Sequence, residues 1–185
     1  MQRAYWLTSA RLGFSHWAAD DLPLALALWG DAEVRRFLGG PLPEGEVKAR
    51  MEREMAWASA YGVQYWPIFL LADGAHVGCA GLRPHEPAEQ VYELGYHLRP
   101  QFWRQGLAEE AGRAVVAYGF QRLGARALYA GHHPENAGSA RILKKLGFRH
   151  THDQAYPETG KLHPCYLLER RADAQGAGGC AKIFP

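Results

Sequence analysis

The chain has 185 residues, of which 48% are hydrophobic and 22% charged, a composition typical of a soluble globular protein with its own core. Its net charge of +2 gives no support for a general nucleic-acid-binding protein, which usually has a strongly basic face, and no apolar run approaches the ~20 residues of a membrane span. We therefore expect one cytoplasmic domain over residues 1–170, with no nucleic-acid or membrane partner, and a flexible tail over residues 171–185.

The N-terminal third predicts one strand and three helices. Aspartate, which favours the N-cap of a helix, precedes each of the first two helical patterns, and Pro23 fits the first turn of the first one. Glycines end the second and third patterns. The predicted elements are a strand over residues 12–17 that can start as early as Tyr5, a helix after Asp20-Asp21, a shorter helix over 32–38 and a longer one over 44–61.

Apolar runs in the middle of the chain predict an antiparallel meander of three strands. Asp73-Gly74 is a two-residue hairpin signal between the first two runs. A predicted loop over residues 83–90 leads to the third run. The strands are predicted at residues 66–71, 76–82 and 91–98.

A helix that starts at Gly106 links the last meander strand to a further strand. Leu107, Ala111 and Val115 lie at helical spacing and predict its buried face. The two strands joined through this helix form a β-α-β unit, which requires a parallel pair. The remaining predicted elements are a strand over residues 125–131, a helix over 136–146, and strands over 148–152 and 165–168. Together they predict an α+β fold with a mostly antiparallel sheet flanked by helices.

The cysteines and histidines do not predict a metal site. Cys79, Cys165 and Cys180 have no metal-like or CxxC spacing, and the first two lie in apolar runs where they are expected to be small buried hydrophobes. His132 and His133 are adjacent, so in a strand they would point to opposite faces and could not chelate one ion together. We expect no bound metal.

The loop before the predicted helix at Gly106 is a candidate phosphate site. A helix start offers unpaired backbone N–H groups and the positive end of a dipole, and both favour an anion. Gly106 has no Cβ and lets a ligand approach the backbone closely. Many strand–helix turns carry a glycine and bind nothing, so on these grounds alone a plain connector is an equal alternative.

Two motifs in this region resemble a known family. The sequence Trp103-Arg104-Gln105-Gly106-Leu107-Ala108 occupies a loop of the form Gln/Arg-x-x-Gly-x-Gly/Ala, with Trp103 departing from the first position. Residues 133–139, His-Pro-Glu-Asn-Ala-Gly-Ser, are followed by a short helix and Leu146-Gly147-Phe148. Over residues 5–170 the chain resembles the GCN5-related N-acetyltransferase (GNAT) superfamily, and within it the ribosomal-protein-alanine acetyltransferase branch.

This resemblance implies a fold and an activity. The fold would be a twisted, mostly antiparallel sheet of six to seven strands with one splayed parallel pair, and acetyl-CoA would enter the V between those strands. The chain would be an N-acetyltransferase that transfers an acetyl group from acetyl-CoA to a primary amine, by direct attack in a ternary complex, as a monomer or homodimer. A CoA-binding sensor or interaction module that has lost catalysis is the alternative.

The resemblance also implies the residues that contact acetyl-CoA. The pantetheine arm would pair with backbone groups at the end of the splayed strand, and the pyrophosphate would bind the glycine loop. Asn136 would contact the pantetheine arm, although asparagine is also a favoured N-cap residue. The implied contacts are His97, Leu98, Arg99, Trp103, Arg104, Gln105, Gly106, Leu107, Ala108, Asn136 and Ser139.

Two steps of the reaction need a proton carrier. Glu93 lies in an apolar run, where a carboxylate is a candidate base for the amine, although a cross-strand charge pair would also explain it. His97, on the same face, or a water could serve instead. The resemblance makes Ser139 the candidate donor to the leaving thiolate, with Tyr166 or Tyr156 as alternatives.

Overall fold

The computed structural model describes residues 3–170. Within them, short turns bring consecutive strands side by side in one mixed sheet of eight strands. The strands are β1 (Leu7–Thr8), β2 (Leu12–Phe14), β3 (Tyr65–Leu70), β4 (His76–Glu86), β5 (Val91–Leu98), β6 (Ala127–Gly131), β7 (Arg149–Tyr156) and β8 (Lys161–Glu169). The α-helices are α1 (Leu22–Trp29), α2 (Ala32–Arg35), α3 (Glu44–Tyr61), α4 (Leu107–Gln121) and α5 (Ala137–Leu146).

The sheet has the order β1-β2-β3-β4-β5-β6-β8-β7, and β5–β6 is its parallel pair. The parallel pairing follows from the crossover through α4, which returns the chain to the same end of the sheet before β6 begins. All the other neighbours within residues 3–170 are antiparallel. The predicted fold class is therefore confirmed.

Each face of the sheet is covered by helices with its own apolar core. On one face, Leu107, Ala111 and Val115 of α4 are buried, and they belong to a cluster with Leu82 and Leu128 of the sheet. The other face is covered by α1 and α3, whose buried side chains form a second cluster with side chains of β3 and β4. This second cluster contains Trp17, Ala25, Leu28, Trp29, Val47, Met51, Tyr65 and Cys79.

A buried carboxylate ties α3 to the sheet. The side chain of Glu54 is fully buried and accepts a hydrogen bond of 2.8 Å from the backbone N–H of Tyr65. It also accepts hydrogen bonds from the guanidinium of Arg83, with the Nε donor at 3.0 Å. Because a buried charge is costly unless it is paired, this contact sets the position of α3 on β3 and β4.

Several boundaries differ from the sequence predictions, and three of the differences have a clear structural cause. The predicted first strand is a hairpin, in which a turn from Ser9 to Leu12 separates β1 from β2, so the sheet has eight strands rather than six to seven. The predicted loop over residues 83–90 contributes its first half to β4, which pairs with β5 as far as Glu86. The strand predicted from Cys165 begins at Lys161, because the turn closed by the Gly160 N–H on the Tyr156 carbonyl builds a long β7–β8 hairpin.

The remaining predictions have mixed outcomes. The helix over residues 44–61 and the strand over residues 91–98 have the predicted bounds, whereas the predicted 32–38 helix is shorter and ends at Arg35. Cys79 and Cys165 are free thiols in the interior. Cys180 and the predicted tail lie outside the described residues, and the domain bounds stay a prediction. Within residues 3–170, no helix is long and apolar enough to cross a membrane.

Candidate active site

The parallel strands β5 and β6 separate part-way along their length. They pair at Val91–Ala127, Tyr92–Leu128 and Glu93–Tyr129, and beyond Glu93 the register between them stops. Strand β5 continues to Leu98, still paired with β4, while β6 stays paired with β8. The result is an open cleft along residues 94–98, and Glu93 lies at its vertex.

The backbone groups of β5 face the cleft only at alternate residues. The N–H of Arg99 donates to the carbonyl of Val77 at 2.9 Å, and its carbonyl accepts from the N–H of Phe102 at 3.0 Å. By alternation, His97 directs its backbone groups to β4. The expectation that both residues offer free backbone groups is therefore wrong. Leu98 faces the cleft, but its carbonyl accepts the indole N–H of Trp103 at 2.6 Å. Tyr96, which the sequence analysis did not select, has the most open backbone groups.

The loop before α4 forms a cradle of backbone donors. Arg104 and Gly106 both have left-handed φ values, of 59° and 77°. None of the N–H groups of residues 104–108 donates to another group within residues 3–170. These free N–H groups converge at the start of a 15-residue helix, where the dipole is positive. The cradle therefore has free donors where an anion could bind, and its role as a phosphate site stays a prediction.

A cation that the sequence analysis did not select lies beside this cradle. The Arg11 guanidinium donates to the carbonyl of Gln105 at 3.0 Å and to the Glu110 carboxylate at 2.7 Å. Ser9 also donates to Glu110, so the β1–β2 turn is attached to the first turn of α4. No sequence spacing predicts this contact, because Arg11 and Glu110 are 99 positions apart.

The start of α5 places two hydroxyl groups together. Asn136 is the N-cap and accepts a hydrogen bond from the backbone N–H of Ser139 at 3.1 Å, which confirms its capping role. The phenol of Tyr96 lies beside the Ser139 hydroxyl but forms no hydrogen bond of normal geometry, and its buried oxygen has no other partner. Burial raises the pKa of Tyr96 to about 12, although Ser139 opposes the shift, so the phenol stays protonated at neutral pH.

Glu93 is a half-buried carboxylate with no partner. It lies opposite Arg83 of β4 and Tyr129 of β6, but the Arg83 guanidinium binds Glu54 instead. No hydrogen bond or ion pair within residues 3–170 involves the Glu93 side chain. The cross-strand charge pair considered from the sequence is therefore not formed, and the carboxylate is available to a ligand.

His97 lies on the same face of β5 but is poorly suited to accept a proton. Its Nδ1 accepts the indole N–H of Trp29 at 3.2 Å, which leaves the proton of a neutral ring on Nε2. Burial, followed by the charges of Arg50, Arg83 and Arg35, lowers the pKa of His97 well below its usual value. The ring is thus neutral at physiological pH, and its basic nitrogen is occupied.

The adjacent histidines make separate contacts. His132 Nδ1 hydrogen-bonds the carbonyl of His133 at 2.8 Å, and its Nε2 lies 3.2 Å from the hydroxyl of Tyr166. His133 Nδ1 accepts the backbone N–H of Glu135. No cluster of three metal-ligating side chains occurs within residues 3–170.

Tyr166, one of the alternative proton donors, already has a partner, because its hydroxyl lies 3.2 Å from His132 Nε2.

Comparisons with known proteins identify the family of the chain. The model of the family described as acetyltransferase (GNAT) domain matches residues 11–149. The chain belongs to this family. It is therefore an acetyltransferase, and acetyl-CoA is the donor that GNAT enzymes use.

Individual relatives show the same likeness. The chain is 25% identical over 144 residues to an uncharacterized N-acetyltransferase, YnaD, of Bacillus subtilis, across 77% of this chain and 82% of that protein. A GNAT-family acetyltransferase structure from Bacillus anthracis matches with a TM-score of 0.77 and 22% identity, over 88% and 97% of the two chains. RimL, a ribosomal L7/L12 alpha-N-protein acetyltransferase solved with coenzyme A, matches with a TM-score of 0.76 and 16% identity, over 87% and 95%.

The geometry of the cradle predicts how replacing Gly106 changes acetyl-CoA binding. A Cβ at Gly106 would meet no atom closer than Arg11 Nη2 at 3.6 Å, so Gly106→Ala has room but must hold a left-handed backbone. That conformation costs an L-residue about 1–2 kcal/mol. We expect Gly106→Ala to weaken acetyl-CoA binding several-fold in calorimetry, because the loop relaxes and its N–H groups no longer converge.

Gly124→Ala is the matched control for this prediction. Gly124 has nearly the same φ, 79°, with open space around it, and lies at the opposite end of α4. Thermal unfolding should show a similar loss of stability in both variants. Equal acetyl-CoA affinity in the two variants would contradict the placement of the phosphate site.

Proposed function

We propose that this GNAT enzyme is an N-acetyltransferase that transfers an acetyl group from acetyl-CoA to a primary amine by direct attack in a ternary complex. The observation that carries the proposal is the unpaired Glu93 carboxylate at the vertex of the cleft, with the donor cradle of residues 104–108 bordering the same cleft. A base and a coenzyme site that share one cleft are what acetyl transfer to an amine requires.

Direct transfer fits the cysteines better than a covalent acetyl-enzyme does. Cys79 and Cys165 are both buried. Burial raises the pKa of Cys79 to about 12, so its thiolate is scarce at neutral pH. The amine itself then attacks the thioester carbon, its N–C bond forms as the C–S bond breaks, and the electron pair leaves on the sulfur of CoA.

The coenzyme is proposed to lie along the open side of β5. Its pyrophosphate binds the N–H groups of residues 104–108, with Arg11 beside them as a cation. The peptide-like pantetheine arm pairs with the cleft-facing backbone of Tyr96, as an added strand would. Asn136 uses its Oδ1 to cap α5, and its amide nitrogen is not part of that bond and can donate to the arm.

Three side chains are proposed to move protons. Glu93 takes a proton from the acceptor ammonium, directly or through a water, so that the amine becomes nucleophilic. Ser139 donates to the departing thiolate, and the Tyr96 hydroxyl beside it can resupply that proton. The neutral His97, whose Nδ1 is occupied by Trp29, is not used as a base.

The surroundings in which the enzyme works also remain proposals. We place it in the cytoplasm, as a monomer or homodimer without a nucleic-acid or membrane partner. The near-neutral net charge of +2 supports the absence of a nucleic-acid partner. RimL is named for acetylation of ribosomal L7/L12. At 16% identity that likeness concerns the fold, and it does not select a protein N-terminus over a small amine as acceptor.

A screen for amine-dependent thiol release tests the proposed function. Purified protein and acetyl-CoA are incubated with alkyl amines, amino acids and short peptides, and free CoA is followed with a thiol reagent. At least one amine should release CoA, with formation of the N-acetyl product by mass spectrometry. Acetyl-CoA binding by calorimetry without turnover of any amine would instead support the non-catalytic CoA-binding module.

Ser139→Ala should lower kcat more than it weakens acetyl-CoA binding. A donor to the leaving group acts mainly in the transition state, so its loss belongs in kcat. General acids contribute about 10²–10⁴-fold, and a thiolate is a good leaving group, so a loss near the lower end is expected. Tyr96→Phe should give a smaller loss, since it removes only the supporting hydroxyl. An unchanged kcat in Ser139→Ala would move the donor role to Tyr96 or Tyr166.

Glu93→Gln should reduce kcat/KM most at low pH. An acceptor amine with a pKa of about 8 to 10 is largely protonated near neutrality, and only the carboxylate can remove that proton. As the pH rises the amine becomes neutral and the defect should shrink. Glu89→Gln is the control, because Glu89 is an exposed carboxylate paired with Arg126 at 2.9 Å. Parallel pH profiles for Glu93→Gln and wild type would show that Glu93 is structural.

A further inference from the structure

An arginine of α3 faces the same side of the sheet as Glu93. Val47, Met51 and Glu54 are the buried residues of α3, and Arg50 occupies the same helical stripe. Its guanidinium carbon lies 4.6 Å from the centre of the Trp29 ring. The Trp29 indole in turn contacts His97 of β5. Arg50 therefore lies on the face of β5 that carries Glu93 and His97, where the acceptor is proposed to bind.

Apart from the Trp29 ring, Arg50 has no hydrogen-bond or ion-pair partner in the described part of the chain. Its Nε is buried without a hydrogen bond, and no ion pair or hydrogen bond within residues 3–170 involves its guanidinium. Glu54, one turn further along α3, is used by Arg83 and by the backbone of Tyr65. Part of the Arg50 surface stays accessible, so a ligand can reach it.

A second arginine near this face is satisfied in a different way. Arg35 donates to the carbonyls of Gly40 and Leu38, both at 2.5 Å, and so holds the turn after α2. Arg83 is paired with Glu54. Of these three arginines, Arg50 is thus the one whose guanidinium meets no oxygen acceptor within residues 3–170.

The buried surroundings of Arg50 disfavour its charged form, but the guanidinium still carries a charge at neutral pH. Burial, followed by the nearby charge of Arg83, lowers the pKa of Arg50 to about 10. At neutral pH the guanidinium is still protonated. A cation that is largely removed from water and has no anion is destabilising unless a ligand supplies one.

Arg50 and Glu93 lie on the same face of β5, the face that also carries His97. Arg50 packs over Trp29, which donates to His97, and the ring of Tyr65 lies 6.0 Å from that of His97. The Tyr65 hydroxyl lies over Gly95, which has no side chain to obstruct it, between Glu93 and His97 on β5. This face therefore presents a carboxylate and a guanidinium to the same acceptor.

We propose that the acceptor is a small amino acid whose free carboxylate binds Arg50 while its amino group is directed at Glu93. The proposal rests on the proposed N-acetyltransferase function and specifies its substrate class. A guanidinium offers two parallel N–H donors that match a carboxylate. A zwitterion places opposite charges against the two charges on this face, whereas an internal peptide carbonyl would leave Arg50 without an anion.

The first experiment compares each of the twenty L-amino acids with its amide, in which the carboxylate is neutral. Wild-type enzyme and acetyl-CoA are used, and kcat/KM is measured from thiol release. For the preferred side chain, the free acid should be favoured by about 10- to 100-fold, the range expected for charged hydrogen bonds. Equal rates for acid and amide would overturn the proposal.

The second experiment repeats the comparison in variants of α3. Arg50→Gln should lower kcat/KM for the acid far more than for the amide and so abolish the preference for the acid. Arg50→Lys should keep a reduced preference, because it retains the charge without the two parallel donors. Arg53→Gln is the matched control, since Arg53 is exposed one turn along the same helix. If Arg50 has only a structural role, its variants should lower the rates with acid and amide equally and leave their ratio unchanged, and that result would overturn the proposal. If Arg50→Gln is poorly folded, the same ratio is measured in Arg50→Lys.

The acceptor panel separates this proposal from the proposed function. Turnover of alkyl amines, or only of peptides, with no preference for free amino acids would leave the N-acetyltransferase function intact and overturn the role of Arg50. Peptides with an acidic first side chain are included, because they carry a carboxylate near the amine. A higher kcat/KM for these peptides than for every free amino acid would overturn the assignment of a small acceptor. Absence of turnover with all amines would reject both proposals.

Discussion

The separation of β5 from β6 after Glu93–Tyr129 is the constraint on which the candidate site depends. A parallel pair needs a crossover, and the crossover helix α4 necessarily starts near the end of β5 where the strands have parted. The free N–H groups of residues 104–108 therefore border the same cleft as the unpaired edge of β5. If β5 and β6 paired as far as Leu98, the open edge of β5 and the vertex at Glu93 would both be lost.

Alternation along β5 divides the site into two sides. Leu94 and Leu98 lie in the core beneath α4, and the Tyr96 phenol points to Ser139 on α5. Glu93 and His97 face the opposite side, beneath α1 and α3. The proposed coenzyme and acceptor thus approach one strand from different directions, and the thioester would meet the amine near Glu93.

The acceptor side combines a structural ion pair with two unpaired charges. Glu54 and Arg83 satisfy each other inside the protein and fasten α3 to the sheet. Because Arg83 is committed to this pair, it leaves Glu93 free, and because Glu54 is committed, it leaves Arg50 without an anion. The fold thereby creates opposite charges that only a ligand can pair, which is the physical basis of the proposed amino-acid acceptor.

The sequence by itself determined the order of elements, the parallel pair and the glycine cradle, because helical periodicity, alternating strands and the Gly106 position are local signals. The bounds of β5 and α3 and the capping by Asn136 were predictable for the same reason. Tertiary structure alone decided which charges remain unpaired and that Arg11 and Tyr96 join the site. Arg11 meets Glu110 across 99 positions, and Arg83 meets Glu54 across 29, so these contacts arise from packing between elements and leave no pattern along the chain.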